Sequence, residues 1–223
     1  MPRRTLAAML AFLLVGLPLP VLAAGAANQL PLGVVTQASS AHFNAANLSA
    51  GATIYEGDGL STEAGGVLQF RAPAALLYLP GSSGVTLHGL PNGKRAELRL
   101  GTVVFSTAKS AAMEILADDA VIRPAADGPT VAQVTLVGPK ELQISARRGA
   151  LDFSYAGETE KLAEGVSYRI LLDQPDGTAA PQPPQAPPKA GREGKKFKII
   201  VIVLIGWVTE WALHEVFESP DRP

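Results

Sequence analysis

The chain has 223 residues, 47% of them hydrophobic and 17% charged, with a formal net charge of −1. That length supports one good-sized core, and the near-neutral balance offers no clustered basic footprint for nucleic acid. With no cysteine in the chain, disulfides, thiolate nucleophiles and cysteine-ligated metals are excluded.

Residues 1–26 have the three parts of a secretory leader. Arg3 and Arg4 form the basic end, Leu6–Val15 is an apolar run, and Pro18 and Pro20 precede small residues at Ala23, Ala24 and Ala26. This pattern predicts a signal peptide cleaved near Ala24 or Ala26, and hence export.

Residues 32–173 read as short strands and turns. Glu97–Leu100, Leu151–Tyr155 and Val166–Ile170 alternate polar and apolar residues, which places one face on a core and the other in water. Leu76–Leu79 and Val131–Val137 are more continuously apolar and fit burial on both faces. Turn chemistry separates the runs at Pro80-Gly81, Pro91-Asn92-Gly93, Asp127-Gly128-Pro129 and Gly138-Pro139. Glu158–Glu164 is charged and reads as a solvated connection. A glycine, a mostly apolar triplet and an aromatic recur at Gly51–Tyr55, Gly101–Phe105 and Gly149–Phe153, about 50 residues apart. Such a period fits a structural repeat; it also fits the ordinary habit of glycine in turns ahead of strands. The expected architecture is all-β, with stacked short strands arranged as a solenoid or a sandwich.

One stretch resembles a known family. Ala50–Thr62, with Gly57-Asp58-Gly59-Leu60-Ser61-Thr62 at its end, resembles the opening strand and turn of the FecR-type (iron-dicitrate regulator-like) domain. Gly65–Phe70, Leu77–Leu87 and Leu98–Phe105 are similar to the strands that follow it in that family. The resemblance implies a β-rich domain of the bacterial envelope with a part in signalling and no catalytic signature. In the namesake proteins a cytoplasmic segment and a membrane helix precede this domain. Here a leader precedes it, and the second apolar segment follows. Independently of the family, Gly57, Gly59, Gly65 and Gly66 suit tight turns, and Asp58 and Thr62 suit local hydrogen bonds to turn backbone.

Residues 174–196 carry Pro181, Pro183, Pro184, Pro187 and Pro188 and read as an extended linker that closes the domain. Residues 197–217 are predominantly apolar, with Trp207 and Trp211 suited to an interfacial belt. They predict a C-terminal hydrophobic helix, either transmembrane or interfacial, followed by a tail at 218–223. The leader directs the β-domain to the periplasm. Arg192, Lys195, Lys196 and Lys198 pull the other way under the positive-inside bias, and the leader takes priority.

Catalytic chemistry is sparse. The only histidines are His42, His88 and His214, with none spaced to share a metal. His88 beside Ser82 or Ser83 lacks a nucleophile-elbow pattern, and Asp118-Asp119 reads as a solvated turn. No catalytic, cofactor-binding or metal-ligating residue is assigned, and no cofactor is expected. The sequence points to a non-enzymatic, membrane-tethered periplasmic domain for protein–protein interaction or envelope signalling, by edge-strand or surface-patch binding. The expected partner is an envelope protein or a cell-wall polymer, with membrane contact through residues 197–217. The alternative is an envelope scaffold that binds cell-wall polysaccharide, with Tyr55, Tyr78 and Tyr168 available to stack on sugars.

Overall fold

Alternate residues are buried along most of the chain, and that period of two builds a single large sheet. The computed structural model describes residues 30–173 and 196–202. The expected leader, all but the last residue of the linker, residues 203–217 and the tail lie outside the described residues.

The strands open with β1 (Gly33–Phe43), β2 (Ala46–Asn47), β3 (Thr53–Ile54), β4 (Gly59–Ala72), β5 (Ala75–Leu79) and β6 (Gly84–Leu90). They continue with β7 (Gly93–Leu100), β8 (Thr102–Thr107), β9 (Met113–Ala117), β10 (Ala120–Pro124) and β11 (Thr130–Gly138). The last five are β12 (Glu141–Arg148), β13 (Leu151–Tyr155), β14 (Glu158–Leu162), β15 (Val166–Leu172) and β16 (Phe197–Ile202). The sheet order is β14-β13-β10-β9-β7-β6-β4-β5-β8-β11-β12-β15-β16, with β1, β2 and β3 lying off this path.

The long strand β4 divides the sheet into two wings. Its first residues, Gly59–Ser61, pair with β6, and its last, Leu68–Ala72, pair with β5. β1 runs along the other side of both parts, with register shifts between Val35 and Gln37 and between Ser39 and Ala41 that let it follow the bend. Buried residues from both wings form one core cluster, including Phe70, Phe105 and Phe153. The sheet is therefore curled on itself into a half-barrel, all-β as expected. It is one continuous sheet rather than the two of a sandwich.

The chain shuttles between wings as it goes: β5, then β6 and β7 opposite, β8 back, β9 and β10 opposite, and so on to β15. This explains the parallel pairing of β7 with β9, because the intervening strand lies in the other wing. Gly101 and Gly149 sit at crossings in opposite senses, with φ of 73° and 75°. Gly51, with φ of 90°, leads instead into the short strand β3 beside β1. The three glycines thus share a left-handed backbone but not a place in the sheet, so they mark corners and not a stacked unit of 50 residues.

Three sequence expectations change. Leu76–Leu79 and Val131–Val137 are not buried on both faces: Leu76, Tyr78, Val131 and Gln133 remain partly exposed between buried neighbours, and Thr135, Leu136 and Val137 are all at least partly exposed. Glu158–Leu162, expected as a connection, is an edge strand, and its Glu and Lys residues suit that position because charge discourages stray pairing. Phe197–Ile202, expected as the start of a helix, is extended and pairs antiparallel with β15 from Leu172↔Phe197 to Ser167↔Ile202. Its apolar run is matched to a strand because β15 offers a free edge and the core offers a seat for Phe197.

Candidate interaction surface

The surface begins at one corner of the sheet. The amide of Asp173 donates to the carbonyl of Lys196 at 2.9 Å, so the chain leaves the sheet and re-enters it at one point. The proline-rich residues therefore link two adjacent strands of the same sheet and do not close the domain. Phe197 is 4% exposed and meets Phe153 edge-on at 5.1 Å and Tyr155 at 6.4 Å. The hydroxyl of Tyr155 donates to the carboxylate of Asp173, and Lys140 Nζ lies 3.3 Å from the same carboxylate. The Tyr155 hydrogen bond, with Lys140 behind it, holds Asp173 below the usual carboxylate range. The same bond, aided by burial, pushes the Tyr155 hydroxyl up, and Asp173 raises Lys140. Tyr155 belongs to one wing and Lys140 and Asp173 to the other, so this cluster clasps the curled sheet where β16 starts.

From that clasp β16 runs outward with decreasing cover. Its inward residues are Phe197, Ile199 and Val201, and Val201 is 58% exposed. Its outward residues include Lys198 and Ile200, the latter 38% exposed. β14 and β16 are the two ends of the sheet order, and a groove of about 430 Å³ lies between them. Leu162, Tyr168, Ile199 and Val201 give it an apolar floor, and Lys161 and Lys198 stand on its rims. A strand edge with no partner among the described residues, beside alternate apolar side chains, is suited to an added strand, whose backbone would complete the ladder.

No comparable arrangement exists for bond-breaking chemistry among the described residues. His88 bonds Glu56 at 2.9 Å and lies 3.5 Å from Glu97. The Ser83 hydroxyl accepts from the Thr102 amide at 3.0 Å and belongs to the turn just before β6, five residues ahead of His88 and roughly 16 Å away at strand rise. The structure does not bring the two together. His42 pairs with Glu63 at 2.7 Å. Asp118 and Asp119 form the β9–β10 turn with positive φ, and Asp118 accepts from the Lys140 amide at 3.2 Å. No group of three metal-ligating side chains is present among the described residues. The Asp58 carboxylate accepts from the Tyr55 amide at 2.7 Å, a local turn bond as expected, whereas the buried Thr62 hydroxyl reaches away from its own turn and donates to the Pro80 carbonyl at 2.5 Å. Of the three tyrosines, Tyr168 is buried, with its hydroxyl accepting from the Ala163 amide; Tyr55 and Tyr78 stay partly exposed, on separate strands and loops.

No family model matches the chain, and no curated protein matches it. Two solved structures are similar to part of the chain. They are crystal structures, at 1.65 and 2.50 Å, of a "putative anti-sigma factor" from Parabacteroides distasonis, 12% and 13% identical with TM-scores of 0.42 and 0.41. Each alignment covers 51% of this chain and 54% of that one. This chain thus spans about half the length of the structures it matches. No helix among the described residues is long and apolar enough to cross a membrane.

The sequence left the interacting residues unassigned. Ile199, Ile200 and Val201 were hidden inside an apolar run with no period, and only the pairing with β15 reveals which of them face the groove.

Proposed function

We propose that this chain is a non-enzymatic binding domain of the bacterial envelope, exported and held at the membrane by its C-terminal segment. It engages a protein partner by addition of a strand at β16, in an envelope-signalling role of the kind implied by its resemblance to FecR-type domains. The observation that carries this reading is the partly uncovered edge of β16, with Val201 58% exposed over an apolar groove.

The strand also revises the anchor. With Phe197–Ile202 in the sheet, fifteen residues of the expected segment remain, 203–217. A helix of that length would rise about 22 Å against a hydrocarbon core of about 30 Å, which favours an anchor lying in the interface over one that spans. The groove would then open close to the membrane surface.

A photo-crosslinking residue placed at Val201 of the full chain in intact cells tests the reading. A discrete protein adduct at Val201, with none from Arg99 on the opposite wing, is the expected result. Adducts from Arg99 alone, or from neither position, would remove strand addition at β16 as the mechanism.

A further inference from the structure

The two wings differ sharply in charge. On the wing from β6 to β14, the strands β6, β7, β9, β10, β13 and β14 carry Lys94, Arg95, Arg99, Arg123 and Lys161 against Glu97, Glu114, Asp152, Glu158 and Glu160. Five bases meet five acids, and several are paired, as in Arg95–Glu114 at 2.6 Å and Arg99–Glu97 at 2.8 Å. On the other wing, the part of β4 from Leu68 to Ala72 with β5, β8, β11, β12, β15 and β16 carries Arg71, Arg147, Arg148, Arg169 and Lys198 against Glu141 alone. That is five bases to one acid, a surplus of 5 − 1 = 4, in a chain whose formal charge is −1. Glu141 is already engaged by Arg169 at 2.6 Å. Arg71, Arg148 and Lys198 make no ion pair with the described residues.

The middle of this second face is uncharged. Strand pairing aligns Gln69, Tyr78, Val104, Gln133, Ser145 and Ser167 in one row across six strands. A neighbouring row holds Thr102, Thr135 and Gln143. These groups orient one another, with Thr102 and Thr135 hydroxyls 3.0 Å apart and Ser167 donating to Ser145 at 3.0 Å. Each hydroxyl and amide retains further hydrogen-bonding capacity toward solvent. Seven strands at about 4.8 Å spacing give the face a width of about 29 Å.

We propose that this face binds an acidic polysaccharide, such as a uronate-bearing glycan. Such a polymer presents carboxylates separated by neutral hydroxyls, which matches basic residues beside rows of hydroxyl, amide and Tyr78 ring surface: Arg71 and Arg148 end one row, with Leu76, Ser106 and Val131 between them, and Arg169 continues the row of Thr102, Thr135 and Gln143. Arginine suits carboxylate because its donors form a planar fork. A nucleic acid would call for bases clustered along a continuous phosphate track. A lipid surface would call for a continuous apolar or aromatic face to insert, whereas the outward apolar residues of this face, the partly exposed Leu76, Val131 and Leu171 and the more exposed Val137 and Ile200, are scattered over four strands among polar and basic neighbours. The inference concerns the outer face of the sheet and does not depend on strand addition in the groove.

Polygalacturonate oligosaccharides, titrated calorimetrically into the full chain in mild detergent, provide the test. Binding is expected, weakened by salt, and absent with neutral dextran. Arg71→Gln with Arg148→Gln should weaken it about tenfold or more, the scale of lost charge-assisted hydrogen bonds. Gln133→Ala, which leaves every charge in place, should weaken it about threefold, as loss of a neutral hydrogen bond does. All three substitutions should leave thermal melting and β16 crosslinking unchanged. No binding to polygalacturonate overturns the proposal. So does equal binding to polyphosphate with no effect of Gln133→Ala, which would mark a generic polyanion surface. Binding to vesicles containing phosphatidylglycerol, but not to polygalacturonate, would assign the face to the membrane instead.

Discussion

Gly101 and Gly165 separate two costs that a glycine corner can carry. Both have left-handed backbones, with φ of 73° and 76°, so alanine at either incurs about 1–2 kcal/mol of conformational strain. At Gly165 a Cβ would meet nothing within 4 Å. The reduced freedom of the unfolded chain offsets part of that strain, by about 0.4–1 kcal/mol, leaving a net loss of about 1 kcal/mol. At Gly101 a Cβ would lie 2.2 Å from the Ser82 carbonyl oxygen, 2.8 Å from Ser83 Oγ and 2.9 Å from Ser83 Cα. These neighbours are backbone and a side chain 1% exposed, so the Ser82–Ser83 corner must move. Moving it disturbs the bonds from the Ser83 amide to Thr62 and from the Thr102 amide to Ser83, at 3.1 and 3.0 Å. Overpacking of this kind costs about 1–3 kcal/mol, and each disturbed hydrogen bond about 1 kcal/mol. Gly101→Ala should therefore lose about 4–6 kcal/mol, against about 1 kcal/mol for Gly165→Ala. At about 2–4 °C per kcal/mol for a chain of this size, thermal melts followed by circular dichroism should fall by roughly 15 °C and 3 °C respectively. Equal shifts in the two variants would refute the crowded-corner reasoning and leave only backbone strain.

Phe197→Ala should cost about 3–5 kcal/mol by denaturant titration, as for a buried aromatic; a loss below about 1 kcal/mol would mean that β16 is not seated on the core. The Asp173 carboxylate sits below its ordinary range when folded. Its contribution is fully present above the unfolded pKa and is lost as pH falls through the folded one. Asp173→Asn should therefore lower the melting temperature at pH 7 and flatten its decline between pH 5 and 2, whereas parallel wild-type and variant curves would break the link to the clasp. If the anchor lies in the interface, an epitope placed after Pro223 should be accessible to antibody in spheroplasts, on the same side as the β-domain. Accessibility only after lysis would indicate a spanning segment.

What the sequence made legible follows from burial on one face. Leu151–Tyr155 announces itself because buried and solvated residues alternate along it; Glu97–Leu100 keeps that alternation only to Leu98, because Leu100, expected on the core face, is 61% exposed at the end of β7. Glu158–Leu162 does not announce itself, because at the edge of the sheet its sole fully buried residue is Leu162, and an edge strand with one inward contact has the composition of a loop. Phe197–Ile202 fails for the opposite reason. Its apolar residues on both faces erase the period, and strand or helix is settled by the free edge of β15. The glycine motif correctly marks positive φ at Gly51, Gly101 and Gly149 but is silent on which wing follows. The polar outer face could not be read in advance, since Tyr78 and Ser167, four strands apart, join one row only through the register of four successive pairings.

The interaction edge exists only if residues 197–202 form the last strand of this sheet, in register with β15. The chain has no cysteine, so the pair Arg169→Cys with Ile200→Cys gives a clean measurement. These residues are directly opposed, which brings Cβ atoms to about 4.5–5.5 Å and, with slight adjustment, into disulfide reach. Mild oxidation should yield an intramolecular disulfide that shifts mobility on a non-reducing gel, while Arg99→Cys with Ile200→Cys should yield none. Failure of the Arg169–Ile200 pair to cross-link, with both thiols reactive to a maleimide, would contradict the strand and with it the interaction edge.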